Sequence, residues 1–171
     1  SLRACINGAN SNAGADVISF SVAAGSVITL ASALPALSDA TGGTTIAATG
    51  SIILDGAGLG FDGITIQSDD NAIEGLALIN FSGGGSNAGI VIDGSDGNTV
   101  TACAIGTNFS DAAGVGNDIG VRIENGATNN TIGGDNILTT VGNVISGNAV
   151  YGVLIADSGT SFLTPVLDLL S

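Results

Sequence analysis

The 171-residue chain has no lysine, histidine, methionine or tryptophan. Arg3 and Arg122 are its basic side chains, set against fifteen acidic ones, and the formal net charge is −13. Each absence removes a class of function. Nucleic-acid binding needs a basic footprint to neutralise phosphates, so nucleic acid is not expected as a partner. Anionic membrane surfaces and acidic polysaccharides are disfavoured on the same ground. No apolar run reaches the ~18 residues of a membrane-spanning helix, so no membrane insertion is expected. With five Phe and one Tyr there are few aromatic faces on which a sugar could stack.

Catalysis lacks its usual groups. A polysaccharide lyase needs a group that takes up a proton; Arg3 lies in a terminal segment, and Arg122 stands between Val121 and Ile123 on the outward side of a strand. A glycoside hydrolase needs two carboxylates facing each other across the bond. Asp69-Asp70 is the one adjacent acidic pair, and it sits beside Asn71 where acidic residues ordinarily build a turn. No catalytic residue, cofactor or metal ligand set is therefore assigned. The Gly-Gly-x-Gly-x-Asp repeat of calcium-binding β-rolls is also missing.

What the chain does have is a repeat. The phrases Gly63-Ile-Thr-Ile66, Gly89-Ile-Val-Ile92, Gly120-Val-Arg-Ile123 and Gly152-Val-Leu-Ile155 follow one another at intervals of 26, 31 and 32 residues. Units of this length cannot bury an apolar face alone and are stabilised by stacking. They hold short β-branched runs broken by Gly, Asn, Asp and Ser, with no room for a long helix. The fold expected is an all-β parallel solenoid of about six coils, roughly 30 Å long at about 4.8 Å per coil. Mean hydropathy of +0.54 with 28 glycines fits thin aliphatic layers.

A second periodic feature follows each phrase. Asn71, Asn98 and Asn130 fall at nearly equivalent places, each just before a β-branched run. Asn tolerates left-handed backbone and bonds nearby peptide groups, which suits a corner. Stacked Asn amides can also form a ladder along the axis. A polar binding row is the functional alternative to that structural role.

The chain divides into a cap at 1–12, coils at 16–159 and a tail at 160–171, all in one domain. Leu2, Cys5, Ile6 and Ala9 mark one face of a short helix able to cover the first coil. Cys103 takes the place of Leu76 in the repeat and reads as a buried hydrophobe. Both thiols are expected to face the core, several coils apart, without a disulfide. Residues 31–43, with Pro35, are expected to bulge outward; 44–55 to supply two strands around Gly50; 108–118 and 135–142 to be loops. The tail carries Phe162, Leu163, Val166, Leu167, Leu169 and Leu170. It either folds back over its own last coil or engages a neighbouring copy, because a bare strand edge invites pairing. Asn80, Asn108 and Asn129 open N-x-[ST] sequons and are glycosylation acceptors in a cell with that pathway.

Several segments carry a resemblance. Ser1-Leu-Arg-Ala-Cys-Ile-Asn-Gly-Ala-Asn10 with Gly14 to Phe20 resembles the cap and first strand of secreted bacterial right-handed parallel β-helix repeat proteins of the pectate-lyase-like fold. Asn98-Thr-Val100, Ile105-Gly-Thr-Asn108, Asn129 to Gly134 and Asn143 to Asn148 are similar to coil motifs of that group. The resemblance spans about residues 1 to 160. It implies a right-handed β-helix with an N-terminal capping helix and an extracellular or cell-surface address. A start at Ser1, without Met, fits a processed protein or a fragment. Because that group includes adhesins, surface repeats, tailspikes and polysaccharide-degrading enzymes, the fold alone does not select an activity. The reading that follows is a non-enzymatic extracellular structural protein, assembling with itself end to end or through its tail into a filament or surface layer. A carbohydrate-binding or adhesin fragment, with glycans as partners, is the alternative; a polysaccharide lyase or hydrolase ranks below both.

Overall fold

A computed structural model describes residues 1–109, 115–134 and 142–156. The chain opens with helix α1 (Leu2–Ser11), and among the described residues everything after it is strand and turn. The strands are β1 (Asp16–Ser19), β2 (Val27–Thr29), β3 (Thr44–Asp55), β4 (Ile64–Ile66), β5 (Ala72–Ile79) and β6 (Ala88–Asp93). They continue as β7 (Thr99–Thr101), β8 (Ala104–Ile105), β9 (Ile119–Glu124), β10 (Thr131–Ile132), β11 (Val144–Ile145) and β12 (Tyr151–Ala156).

Every pairing between these strands is parallel. One sheet runs β1–β3–β5–β7–β10, with β2, β8 and β11 continuing it past a bend; the other runs β4–β6–β9–β12. The chain visits the bent sheet, crosses to the second sheet and returns one layer higher. This is a parallel β-solenoid.

Register gives the length of a turn. Asp16 pairs with Thr44, Thr45 with Ala72, Ala72 with Thr99 and Thr99 with Thr131, steps of 28, 27, 27 and 32 residues. Four turns thus join five rungs, fewer than the six coils expected from sequence. The difference lies in how much chain one turn consumes. Each turn needs two segments of the bent sheet and one of the second, and β3 supplies both halves of its rung as one strand. The register of β3 shifts between Ala47 and Ile52, where the segment around Gly50 is accommodated. Residues 31–43 are not a simple outward bulge either. Leu37 bridges to Ile66, is fully buried, and forms the first rung's contribution to the second sheet.

The core consists of aligned aliphatic columns. Ile18, Ile46, Ile73 and Val100 stack on the first half of the bent sheet, and Leu54, Leu78 and Ile105 on its second half. Ile64, Ile90 and Val121 come from the repeated phrases. Alternation along each strand sends every second side chain inward, and β-branched residues pack well on that pleat. Each fully buried side chain of this size stabilises by about 1.5–3 kcal/mol relative to exposure.

In the first three phrases the leading residue is glycine because neighbouring atoms leave no room for a Cβ. A Cβ at Gly63 would lie 2.3 Å from the carbonyl oxygen of Gly89, and one at Gly120 would lie 2.3 Å from that of Gly152. The bend of the bent sheet has its own requirement. Ser51, Gly75 and Ala102 all take positive φ, near 61°, 71° and 54°, within two residues of a strand segment leaving the bend.

Helix α1 lies over the first rung. Ser1 caps it, its hydroxyl accepting from the Ala4 N–H at 3.4 Å, and Ile6 and Ala9 are buried beneath. Arg3 donates to the carbonyls of Ala33 and Ser32, and Asn10 holds Ala36 and Ser38. Cys5 departs from the expected apolar face and is exposed. Four consecutive helical positions on one face subtend a wide arc, and Ile6 and Ala9 fill the contact while Cys5 falls on its flank. Cys103 is buried, and neither thiol is in a disulfide.

Candidate functional site

The polar side chains that could do chemistry cluster at the corners between strands. After the second sheet the chain turns through Ser68-Asp69-Asp70-Asn71, Ser95-Asp96-Gly97-Asn98 and Ala127-Thr128-Asn129-Asn130 in successive rungs. The third residue of each corner has positive φ, 58° at Asp70, 70° at Gly97 and 57° at Asn129, so these positions are filled by residue types that tolerate it.

Asn71, Asn98 and Asn130 stand in line. The Oδ1 of Asn71 accepts from the Thr44 N–H at 2.8 Å, that of Asn98 from the Asn71 N–H at 2.8 Å, and that of Asn130 from the Asn98 N–H at 2.8 Å. The Asn71 amide also donates to Asn98 Oδ1 at 3.0 Å. Asn71 and Asn98 are buried, so these amides face the protein and not a ligand. They continue, through side chains, the column of peptide hydrogen bonds that the turn interrupts. An exposed acidic column runs beside them: the Asp69 carboxylate accepts from the Asp96 N–H at 2.8 Å, and that of Asp96 from the Thr128 N–H at 2.6 Å.

Three further Asn residues escaped the sequence reading as ladder members. Asn117 Oδ1 accepts from the Phe81 N–H at 2.9 Å, and Asn148 Oδ1 from the Asn117 side-chain amide at 3.1 Å. Asn143 Oδ1 accepts from the Cys103 N–H at 2.9 Å. The signal was present but displaced. Asn117 precedes its phrase glycine by three residues and Asn148 by four, so alignment on the glycines does not superpose them.

On the outward face of the second sheet, Arg122 and Glu124 form an ion pair of 3.0 Å, and Arg122 also reaches Asp62 at 2.9 Å. Burial works against the guanidinium charge, but the two carboxylates outweigh it and hold Arg122 above its ordinary pKa. Nearby, Asp93 accepts from Asn125 and from Gln67, which with Arg122 lowers its pKa despite some burial. Burial pushes the Cys103 thiol up to about 11, so it is a poor nucleophile. Phe61 and Phe81 meet edge to face at 6.2 Å, with Phe81 fully buried.

The sequons differ in setting. Asn80 has positive φ, donates to Asp55 at 3.0 Å and precedes the buried Phe81. Asn129 is exposed at its corner. Asn108 is partly buried, and Ser110 of its triplet lies outside the described residues. The tail residues Phe162, Leu163, Val166, Leu167, Leu169 and Leu170 also lie outside them, as do 110–114 and 135–141 within the two expected loops.

The two ends of the solenoid are unlike. At the first rung, α1 covers the core. At the last described rung, β12 is the edge of its sheet, and Val144, Val150, Tyr151 and Ile155 are 53%, 49%, 50% and 43% exposed. Among the described residues no helix is long and apolar enough to cross a membrane. Comparison with protein families, curated proteins and solved structures finds no match. The class of this protein therefore rests on its own geometry, a parallel β-solenoid whose N-terminal end is covered by a helix.

Proposed function

We propose that this chain is a non-enzymatic structural protein of the cell exterior that assembles with copies of itself through its C-terminal end. The observation that carries this reading is the difference between the two ends. The N-terminal end is closed by α1 with Ile6 and Ala9 inserted. The last described rung presents four partly exposed apolar side chains, and among the described residues no strand pairs with the far edge of β12. Such an edge is a template for another strand unless it is covered.

The route of assembly follows from the same contrast. Laying one copy's last rung directly on another's first rung requires α1 to leave its place. Exchange through the segment after Ala156, with Phe162, Leu163, Val166, Leu167, Leu169 and Leu170, leaves α1 undisturbed. A heterologous contact of this kind that does not close makes a filament, whereas a two-fold contact stops at a dimer. The extracellular address, and kinship with secreted β-helix proteins, rest on the cap and coil motifs quoted above. A chain without lysine or histidine and with its polar amides committed to corners suits a durable exterior better than a reactive site.

The test is truncation after Gly159, followed by light scattering and negative-stain electron microscopy beside the full chain. Loss of regular assemblies is the outcome expected. Assembly that is unchanged by truncation removes the tail as the connector.

A further inference from the structure

The first rung has an open side. Strand β1 pairs with β3 alone, so its other edge is the end of the bent sheet. The Asp16 N–H donates to the Gly43 carbonyl, which turns the peptide groups of Asp16 and Ile18 toward β3. Alternate residues of a parallel strand face the other way, so those of Val17 and Ser19 point away from the stack. Among the described residues nothing bonds them. Helix α1 covers the core of this rung but leaves an open cleft of about 500 Å³ beside β1. Cys5, Gly8, Ala9 and Asn12 line one wall, and Asp16 to Ser19 the other. A Cβ on Gly8 would meet nothing within 4 Å.

Exposed apolar surface gathers at the two ends of the stack. Among the described residues, Val17, Val22 and Val27 of the first rung and Val144, Val150, Tyr151 and Ile155 of the last are exposed; between them only Leu59 and Phe109 are. Val17, at 72%, is the most exposed of these. Single exposed apolar residues are ordinary, but their concentration on two opposite ends marks surfaces that meet a partner.

Chain order selects the occupant. After each strand of the second sheet the chain enters the first half of the bent sheet, β4 leading to β5, β6 to β7 and β9 to β10. The corner residues Asn71, Asn98 and Asn130 follow their phrase glycines by 8, 9 and 10 positions. The same step from Gly152 ends at residues 160–162, where Phe162 and Leu163 begin the apolar tail. From Phe162 to Ser171 the tail has six large apolar residues and one charge, Asp168. It follows the last rung, four turns of about 4.8 Å away from β1.

We propose that the cleft between α1 and β1 receives the C-terminal segment of a second copy, within residues 162–171, as a parallel strand added to β1. The proposal rests on the self-assembly reading and supplies its acceptor. Main-chain bonds to Val17 and Ser19 hold the incoming strand, and its apolar side chains pack beside Val17 and the flank of α1. Donor and acceptor lie at opposite ends of the molecule, so the contact is head to tail and repeats without closing. Helix α1 stays in place.

Cys5 makes the test direct, because it lines the cleft and is exposed, whereas Cys103 is buried. Leu167→Cys and Leu169→Cys, each in the full chain, are treated under assembly conditions with a short bis-maleimide. The result expected is a ladder of covalent multimers on a denaturing gel, with peptide mapping placing the link between Cys5 of one copy and the tail cysteine of the next. Adding Cys5→Ser removes the ladder. A linked product that stays monomeric puts the tail in its own molecule's cleft and overturns the proposal. Assemblies that form with no link between Cys5 and the tail overturn it while leaving self-assembly standing. Absence of assemblies from the parent chain overturns both. Val17→Pro is an independent check. The Val17 N–H is on the free side, so pairing with β3 survives, while the lost bonding to the incoming strand raises the concentration needed for assembly by about tenfold. An unchanged assembly concentration overturns strand addition at β1.

Discussion

Arg122 and Asp62 are 60 residues apart in sequence and 2.9 Å apart in space. The guanidinium of the fourth rung reaches back across the third to the carboxylate beside the second, and donates on the way to the Ser86 carbonyl. Val91, its cross-strand partner in the third rung, is 2% exposed although it points outward. One side chain thus ties three rungs together and shields an apolar position. Arg122→Gln is expected to lower stability by about 1–3 kcal/mol, the range for hydrogen bonds to charged groups in partly buried settings. Urea unfolding measures it. A double-mutant cycle with Asp62→Asn should return a coupling of at least ~0.5 kcal/mol. Additive effects would mean that the pair contributes nothing as a pair.

The Asn ladder makes a graded prediction. Asn98→Ala orphans one buried donor, the Asn71 N–H, and removes one acceptor of the Asn71 side-chain amide, which keeps the Ser68 carbonyl. At about 1–3 kcal/mol for an unsatisfied buried group, together with the weakened amide, the loss is on the order of 2–3 kcal/mol. Asn130→Ala orphans the Asn98 N–H in the last of the three corners, and is expected to cost about half as much. Equal losses in urea unfolding would indicate that local turn preference, and not the ladder, sets the energy.

Acid sensitivity should map partly to Asp93. Hydrogen bonds from Asn125 and Gln67 lower its pKa in the folded state. A carboxylate with a depressed folded pKa contributes stability above its unfolded pKa, near 4, and loses it as pH falls through the folded value. Asp93→Asn should therefore lower Tm most near neutrality and flatten the fall below about pH 4, where the parent loses the same contribution. Parallel pH profiles for parent and variant would rule this contribution out.

The two thiols should separate cleanly. Cys5 is exposed, and Cys103 is buried with its pKa raised to about 11. Alkylation of the native protein at neutral pH, read by peptide mass spectrometry, is expected to label Cys5 within minutes and Cys103 only after unfolding. Equal labelling of both would show that the fourth rung opens readily.

The phrase glycines test the stacking directly. Gly120→Ala places a methyl group where the Gly152 carbonyl oxygen and the Asn148 amide already sit. It is expected to destabilise by ~2 kcal/mol or more, in the manner of overpacked cores. Gly126→Ala, in an exposed turn with open space around it, meets only the strain of positive φ and should cost about 1 kcal/mol. Thermal unfolding of the two variants compares them directly.

Much of this architecture was legible in the chain. The Gly-Ile-Thr-Ile phrases mark one sheet because a strand that stacks on its own repeat must present the same residue types at the same register. Asn71, Asn98 and Asn130 mark one corner because few side chains accept the geometry and also bond the next peptide group. The capping helix was readable from Leu2, Ile6 and Ala9. Asn117 and Asn148 were not, since a one-residue difference in turn length hides them from alignment yet costs the folded chain nothing. Nor was Leu37, isolated in a segment whose Pro35 and polar neighbours resemble a loop.

The sequence by itself determined the period, the inward columns and the residue types at the corners, because each of these is a local requirement repeated along the chain. Tertiary structure alone decided the number of turns, the side of the helix that Cys5 occupies, the partners of Arg122 and the side of β1 that stays unpaired. These depend on which residues meet after one or two full turns. A shift of a single residue in any corner changes that meeting without altering the local pattern.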